Sequence, residues 1–524
     1  MSVISDREVP VVVREPNAFG ARRAVPPAYA ALAALYLLAV GLLIASRVRE
    51  FGDETDNLLG GLLLTRGARL YVDFFSSHMP LPYYVAALGA LLGAQSLDQF
   101  RLFANVLLVL ATSAIVWSLR HTLPPRLLAV WAIATVFAHT LQFGEMLTAS
   151  TVAGYGILLV GLLFFGHPSL HFGLRQQVLL SGAVFVAVQS ELIALFPLAL
   201  AGLAYVAVRL KSDGPRAFRE VLAFAALVAA PHLALLLGLL LSGELADFVY
   251  YAYTYNQLYY AQFVMNPSVV GMLHDWEAQY RTYLLQSLSA PFGVEAALVL
   301  ANFGAALLVW RSRGPLWAIG FYLFIALAHV RNEGGYYLCS YFSLALLLNW
   351  ALSAVRSRRT LLPALAALLV AAWFAVGIGL TYQLGRLPVR YIPEVAIIEA
   401  VTTPDERIFV LPFDPYVYLA SQRMPASVFT YYLPWHAVDP RIVGQLFDEL
   451  RLNRPPLIVF RRDELVNGRW LPRQYASDLY DFLLQQGYAP LDAPVDVFGE
   501  MLVRRDRLAA ARQFVEDATS SSSR

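Results

Sequence analysis

The chain has 524 residues, 58% of them hydrophobic and 15% charged, with a formal net charge of +2. A soluble chain of this length carries far more polar surface, so burial in a bilayer is the expected state. The near-neutral balance, with no basic stretch interleaved with base-stacking aromatics, argues against a nucleic-acid partner, and Cys339, the only cysteine, excludes an intramolecular disulfide or a CxxC metal site.

Residues 1–27 carry Arg7, Arg14, Arg22 and Arg23 ahead of an apolar run from Tyr29 to Ala45. That run is too long for a signal-peptide core and lacks a small-residue cleavage site. It reads as a retained first helix, about 28–46, with its start in the cytoplasm. Apolar segments of spanning length recur at about 81–96, 101–120, 126–143, 149–166, 176–208, 220–241, 292–310, 315–330, 336–354 and 361–383. The expected fold class is a polytopic α-helical membrane protein with about eleven transmembrane helices. The length of 176–208 leaves room for it to be one tilted helix or two short ones, and the total for twelve or thirteen.

Loop charge sets the expected orientation. Arg209–Arg219, Arg311/Arg313 and Arg356/Arg358/Arg359 read as cytoplasmic, which turns 243–290 and 329–335 outward. An eleven-helix count puts Arg120–Arg126 and His167–Arg175 outside although both are basic. The rule therefore works poorly between residues 96 and 208.

Three regions outside the apolar runs are long enough to do chemistry. The first outer loop is 47–80. The second, 242–291, holds Tyr250, Tyr251, Tyr253, Tyr255, Tyr259, Tyr260 and Phe263, a density that suits an interfacial helix beneath the headgroups. The third, 386–515, alternates the β-rich runs Ile408–Leu411, Leu457–Phe460 and Gly499–Arg504 with helical patterns at Ile442–Leu452 and Tyr475–Gln486. It reads as a small extracytoplasmic α/β domain beyond a transmembrane domain at 28–385. Its rings Tyr416, Tyr418, Tyr431, Tyr432 and Trp435 suit either stacking on sugars or packing onto the membrane core, and packing is expected. The serine-rich tail, 516–524, is expected to be disordered.

The first outer loop holds the acids Asp53, Glu54 and Asp56, then a Leu-rich stretch Leu58–Thr65, then Gly67, Tyr71, Asp73, Phe74, His78, Pro80 and Leu81. Acids at a membrane surface suit a general base for a hydroxyl acceptor, and partial burial would raise such a carboxylate towards working pH. They also serve simply to solvate a helix end. Residue chemistry alone leaves both roles open.

The order of an acidic pair after the first helix, a Leu-rich interfacial helix, G-x-x-x-Y-x-D-F and H-x-P-L resembles the first extracytoplasmic loop of the C-type (GT-C) membrane glycosyltransferases. That superfamily includes protein O-mannosyltransferases and the lipid A aminoarabinose transferase. The resemblance implies sugar transfer from a polyprenyl-phosphate donor to an extracytoplasmic hydroxyl on a protein, lipid or envelope glycan. Asp53 would then be the base, with Glu54 orienting it or contacting the sugar. Candidate substrate contacts are Asp56, Arg66, Arg69, Tyr71, Asp73, His78, Glu145, Arg331, Tyr336 and Tyr337, with Arg331 placed to clamp phosphate. Gln189 and Glu191 fall mid-run in 176–208, where relatives often carry a basic residue. The missing O-mannosyltransferase insert at 242–291 points to a bacterial-type relative.

No cofactor is indicated. D53-E-T-D56 has the wrong spacing for a DxD metal pair, no His/Cys cluster exists, and P-loop and Rossmann fingerprints are missing. Asp53 and Asp56 sharing a hydrated ion stays open. Other readings are a secondary transporter or lipid flippase, although no internal repeat is visible, and a non-catalytic glycan-binding scaffold.

Overall fold

The computed structural model describes residues 51–119, 146–167, 170–264, 294–329, 337–357, 360–384, 393–491 and 500–522, with isolated positions between 123 and 135 and between 274 and 285. The expected spans at 28–46 and most of 126–143 lie outside the described residues, as do Glu145, Arg331 and Tyr336.

The outer loop folds first, as α1 (Gly52–Thr65) and α2 (Leu81–Leu91). Long apolar helices follow: α3 (Leu97–Leu119), α4 (Ala149–Gly166), α5 (Leu174–Ser190), α6 (Leu195–Asp213) and α7 (Pro215–Leu241). Next comes α8, residues 245–264, whose middle Tyr250–Tyr260 is wound as a π-helix. Then come α9 (Val294–Arg313), α10 (Pro315–Ala328), α11 (Leu338–Ser357) and α12 (Leu361–Leu384). Among the described residues, five helices are long and apolar enough to cross a membrane. The protein is a multi-pass membrane protein.

One expected span changes, and one open alternative is settled. The 81–96 segment is not a crossing: α2 has 11 residues, roughly 16 Å of rise, about half a hydrocarbon core. It ends where Gly93 takes φ +100. The 176–208 segment is two helices, α5 and α6, separated at Glu191, whose extended backbone (φ −156, ψ 128) interrupts the ladder before a short 3₁₀ turn.

The C-terminal region holds α13 (Pro393–Val401), β1 (Arg407–Leu411), α14 (Pro415–Ser421), β2 (Met424–Pro425), α15 (Pro440–Asn453), β3 (Leu457–Phe460), α16 (Ser477–Gln485), β4 (Tyr488–Leu491), β5 (Glu500–Arg504) and α17 (Arg505–Ser522). The sheet order is β2-β1-β3-β5-β4, with β1 parallel to β2 and β3, and β5 antiparallel to β3 and β4. Successive side chains leave opposite faces of a strand. Ile408, Val410, Leu457, Val459, Met501 and Val503 accordingly share one core with α13 and α17. Phe409, Leu411, Ile458, Phe460 and Leu502 share another with α15 and α16. Covered faces on both sides explain why these strands read as unbroken apolar runs. The tail also differs from expectation. α17 continues through the serines to Ser522, because extending a helix already nucleated by Leu508–Ala511 adds one bond per residue fixed.

Both cores extend into the outer loop. Leu58, Leu59 and Leu62 of α1 join the first, and Leu70, Tyr71, Phe74, Phe75 and Tyr83 join the second. The sheet is thus fused to the loop that carries the acids.

Candidate active site

α1 begins at Gly52, so the acids lie inside a helix instead of on a loop before it. Asp53 and Glu54 occupy its first turn, where negative charge meets the positive end of the helix dipole. Gly52 has a packing reason: a β-carbon there would overlap the ring of Phe413, just beyond β1. Gly60 and Gly61 likewise let α1 close on Tyr83, Phe74 and the backbone at Ala86.

The three acids have three different environments. Glu54 is about 1% exposed and is gripped by Arg101 of α3, also 1% exposed, with Nε donating to Oε1 at 3.1 Å and Nη2 to Oε2 at 2.7 Å. Burial pushes its carboxyl above the ordinary range, against the pull of the Arg101 charge, that side chain's hydrogen bonds and the Leu147 backbone N–H. Asn57 Nδ2 donates to Leu147 O at 2.9 Å, so the segment preceding α4 is pinned to α1 at two points.

Asp56 is 5% exposed. Its Oδ2 accepts from Tyr83 Oη at 2.6 Å, Tyr83 accepts from Ser76 Oγ at 2.9 Å, and Ser76 accepts from the His78 backbone N–H at 3.0 Å. Burial raises the Asp56 carboxyl to about 7; the Tyr83 hydrogen bond opposes this and the charge of Asp53 adds to it. Asp53, one turn before Asp56 on the same helix face, keeps partial solvent exposure.

The remaining sequence-derived candidates divide. Arg69 and Asp73 close on each other at 3.0 Å, both about half exposed. Arg66 is exposed, with Nη1 2.7 Å from Met424 Sδ. Tyr71 is 2% exposed at φ +68, its hydroxyl donating to His78 O at 2.8 Å and its ring 5.2 Å from Phe248. A bulky residue in that backbone region costs on the order of 1–3 kcal/mol; here the hydroxyl bond and the ring contact hold it. Tyr71 and the Arg69–Asp73 pair therefore shape the loop. Tyr337 is 2% exposed and stands edge-on to His329, whose Nε2 is 3.0 Å from Ser340 Oγ. Gln189 pairs with His232 at 2.7 Å across α5 and α7.

The tyrosine helix packs one face on protein and leaves Tyr250, Tyr253, Tyr259 and Tyr260 half-buried. Tyr251 and Tyr255 are buried against protein, where Phe75 meets Tyr251, Tyr255, Phe429, Tyr431 and His436 at 4.9 to 5.9 Å between ring centroids. Tyr418, Tyr431, Tyr432 and Trp435 are all buried, which places them as packing. Sequence reasoning missed Arg101, Tyr83, Ser76 and His436. A usable signal existed for Arg101: an arginine near the start of an apolar helix either snorkels to the interface or takes a partner.

The fold has solved counterparts at low sequence identity. ArnT from Cupriavidus metallidurans bound to undecaprenyl phosphate matches over 92% of this chain and 99% of that one, at TM-score 0.50 and 15% identity. The same protein in its apo state gives 0.51 at 14% identity over the same shares. The chain therefore shares the fold of these ArnT structures. AglB, the archaeal oligosaccharyltransferase from Archaeoglobus fulgidus, matches 89% of this chain and 74% of its own at TM-score 0.43 and 11% identity. No family model matches the chain, and no curated protein matches it significantly in sequence. In this fold the acidic turn of α1, the loop at Leu147 and the C-terminal sheet converge on one place.

Proposed function

We propose that this protein is a membrane glycosyltransferase that moves a sugar from a polyprenyl-phosphate-linked donor to an extracytoplasmic hydroxyl, with Asp53 as general base. One observation carries the assignment: Glu54 and Asp56 are buried, whereas Asp53 on the same turn is partly open to solvent, where an acceptor can reach it. Asp53 takes the acceptor's proton as the hydroxyl oxygen attacks the anomeric carbon. The bond from that carbon to the phosphate oxygen breaks, and polyprenyl phosphate leaves as an anion. Phosphate is a weak base, so charge neutralisation matters more here than proton donation. Arg331, assigned from sequence, is the proposed cation for it. Glu54 and Arg101 position the turn.

The helix corrections support an orientation with the N-terminus in the cytoplasm and the C-terminal domain outside. If 28–46 and 126–143 cross as the sequence reads, then with 81–96 removed as a crossing and 176–208 divided in two the count would set Arg120–Arg126 and His167–Arg175 on the same side as Arg209–Arg219, Arg311/Arg313 and Arg356–Arg359. Every basic loop is then cytoplasmic. The acidic turn and the sheet share the opposite side.

The test is purified protein with radiolabelled polyprenyl-phosphate sugars and candidate hydroxyl acceptors, read as acceptor labelling together with release of polyprenyl phosphate. Consumption of no donor by the folded wild-type protein would favour the transporter or scaffold reading. An alkaline phosphatase fused after the last residue should be active if the orientation is right.

A further inference from the structure

A cavity of about 440 Å³ opens on the C-terminal domain between Arg454, Gly487, Arg504, Arg505 and Asp506. Its walls come from three places in the chain: the end of α15, the turn before β4, and the junction of β5 with α17. Arg454 is held in the left-handed region at φ +41 and Gly487 at φ +88. The Arg505 backbone N–H donates to Gly487 O at 3.1 Å, and Arg504 Nη1 donates to Arg454 O at 2.8 Å. The three segments are therefore tied by hydrogen bonds around the opening, and the walls are set before any ligand arrives.

The charges are unequal. Arg504 is taken up by Asp506 in a two-point ion pair of 2.6 and 2.9 Å. Arg454 and Arg505 are exposed, and neither side chain makes an ion pair with a described residue. Two guanidinium groups facing one cavity, with their local acid already engaged, form a receptor for an oxyanion, which arginine binds through paired N–H groups. The volume falls in the range of small-molecule sites and accommodates an anionic sugar unit.

Its place separates it from the reacting turn. β1 and β3 run parallel, and the C-terminal end of β1 leads to Phe413 against Gly52. β5 runs the other way, so Arg504, whose N–H donates to Pro456 O at 3.0 Å, lies at their N-terminal ends. One strand length, roughly 15 Å, divides the two. The donor phosphate at Asp53 cannot occupy both.

We propose that this cavity binds a carboxylate or phosphate group on an extended extracytoplasmic glycan, holding the far end of an acceptor whose hydroxyl reaches Asp53. The acceptor role rests on the transferase reading; the anion site does not.

Direct binding tests it, without donor, so a failure of the transferase reading leaves the result interpretable. Full-length protein in detergent is titrated with inorganic phosphate, with polygalacturonate as an anionic glycan and with dextran as a neutral one. The Arg454→Ser/Arg505→Ser double variant is compared with Arg469→Ser, an exposed arginine elsewhere on the domain. Saturable polygalacturonate binding, weakened at least tenfold in the double variant and retained in Arg469→Ser, is the expected result. Equal binding in all three proteins, equal loss in both variants, or equal affinity for dextran overturns the site. Saturation by phosphate without polygalacturonate binding overturns the glycan assignment.

Discussion

Arg101 reaches Glu54 across 47 residues of sequence and meets it with two nitrogens, at 3.1 and 2.7 Å, both side chains about 1% exposed. The pair fixes the first turn of α1 against the first span that follows it. Removing one partner leaves the other charge buried and unanswered. Arg101→Met should therefore cost about 3–5 kcal/mol, seen as a large fall in the thermal midpoint of the detergent-purified protein. Glu54→Gln/Arg101→Met should recover part of that loss. A double variant no more stable than Arg101→Met would show that the pair is not the unit.

Asp56 gives a pH signature. Its folded carboxyl, raised to about 7 by burial, holds a proton between about pH 4 and 7 that the unfolded chain has released. This group's contribution therefore favours the folded state at the acid end of that window and is lost as pH rises through it, by up to about 1.4 kcal/mol per pH unit. Asp56→Asn should be less pH-sensitive than wild type between pH 4 and 7 and gain stability relative to it at pH 8. Parallel stability curves for the two proteins would contradict this.

His436 acts in the opposite sense. It is 0% exposed among Phe75, Tyr255, Phe429, Tyr431 and Tyr432, and burial lowers its pKa to about 3. Below about pH 6.5 the unfolded chain takes a proton there that the folded chain refuses. Stability from this group falls as pH drops from 6.5 towards 3. His436→Phe should lose that slope, measured by fluorescence-detected unfolding from pH 6.5 to 4; an unchanged slope would place the acid sensitivity elsewhere.

Gly52 tests the docking of the sheet on the acids. Gly52→Ala should cost about 1–3 kcal/mol through overlap with Phe413, and lower transfer by displacing Asp53. Phe413→Leu in the same chain should restore part of both. Failure of the second change to help would mean that α1 does not depend on this contact.

Much of this architecture was legible in the sequence, and the misses share a cause. β1, β3 and β5 were visible because both faces are covered and their runs are continuously apolar. β4, with Pro490 on the edge of the sheet, carries no such pattern. Apolar composition alone cannot separate an 11-residue juxtamembrane helix such as α2 from a crossing, nor show that Glu191 divides one run into two helices. At the site, the acids were evident from their spacing. Their partners were not, because Arg101 and Leu147 are brought to α1 only by tertiary packing, and Tyr83 looked like one more apolar ring.

The most direct measurement is the transfer rate of a labelled sugar from a polyprenyl-phosphate donor by Asp53→Asn, alongside wild type and with thermal midpoints matched. A general base contributes roughly 100- to 10,000-fold, so the variant should retain about 1% of the rate or less. Rates within twofold of wild type would remove Asp53 from the chemistry.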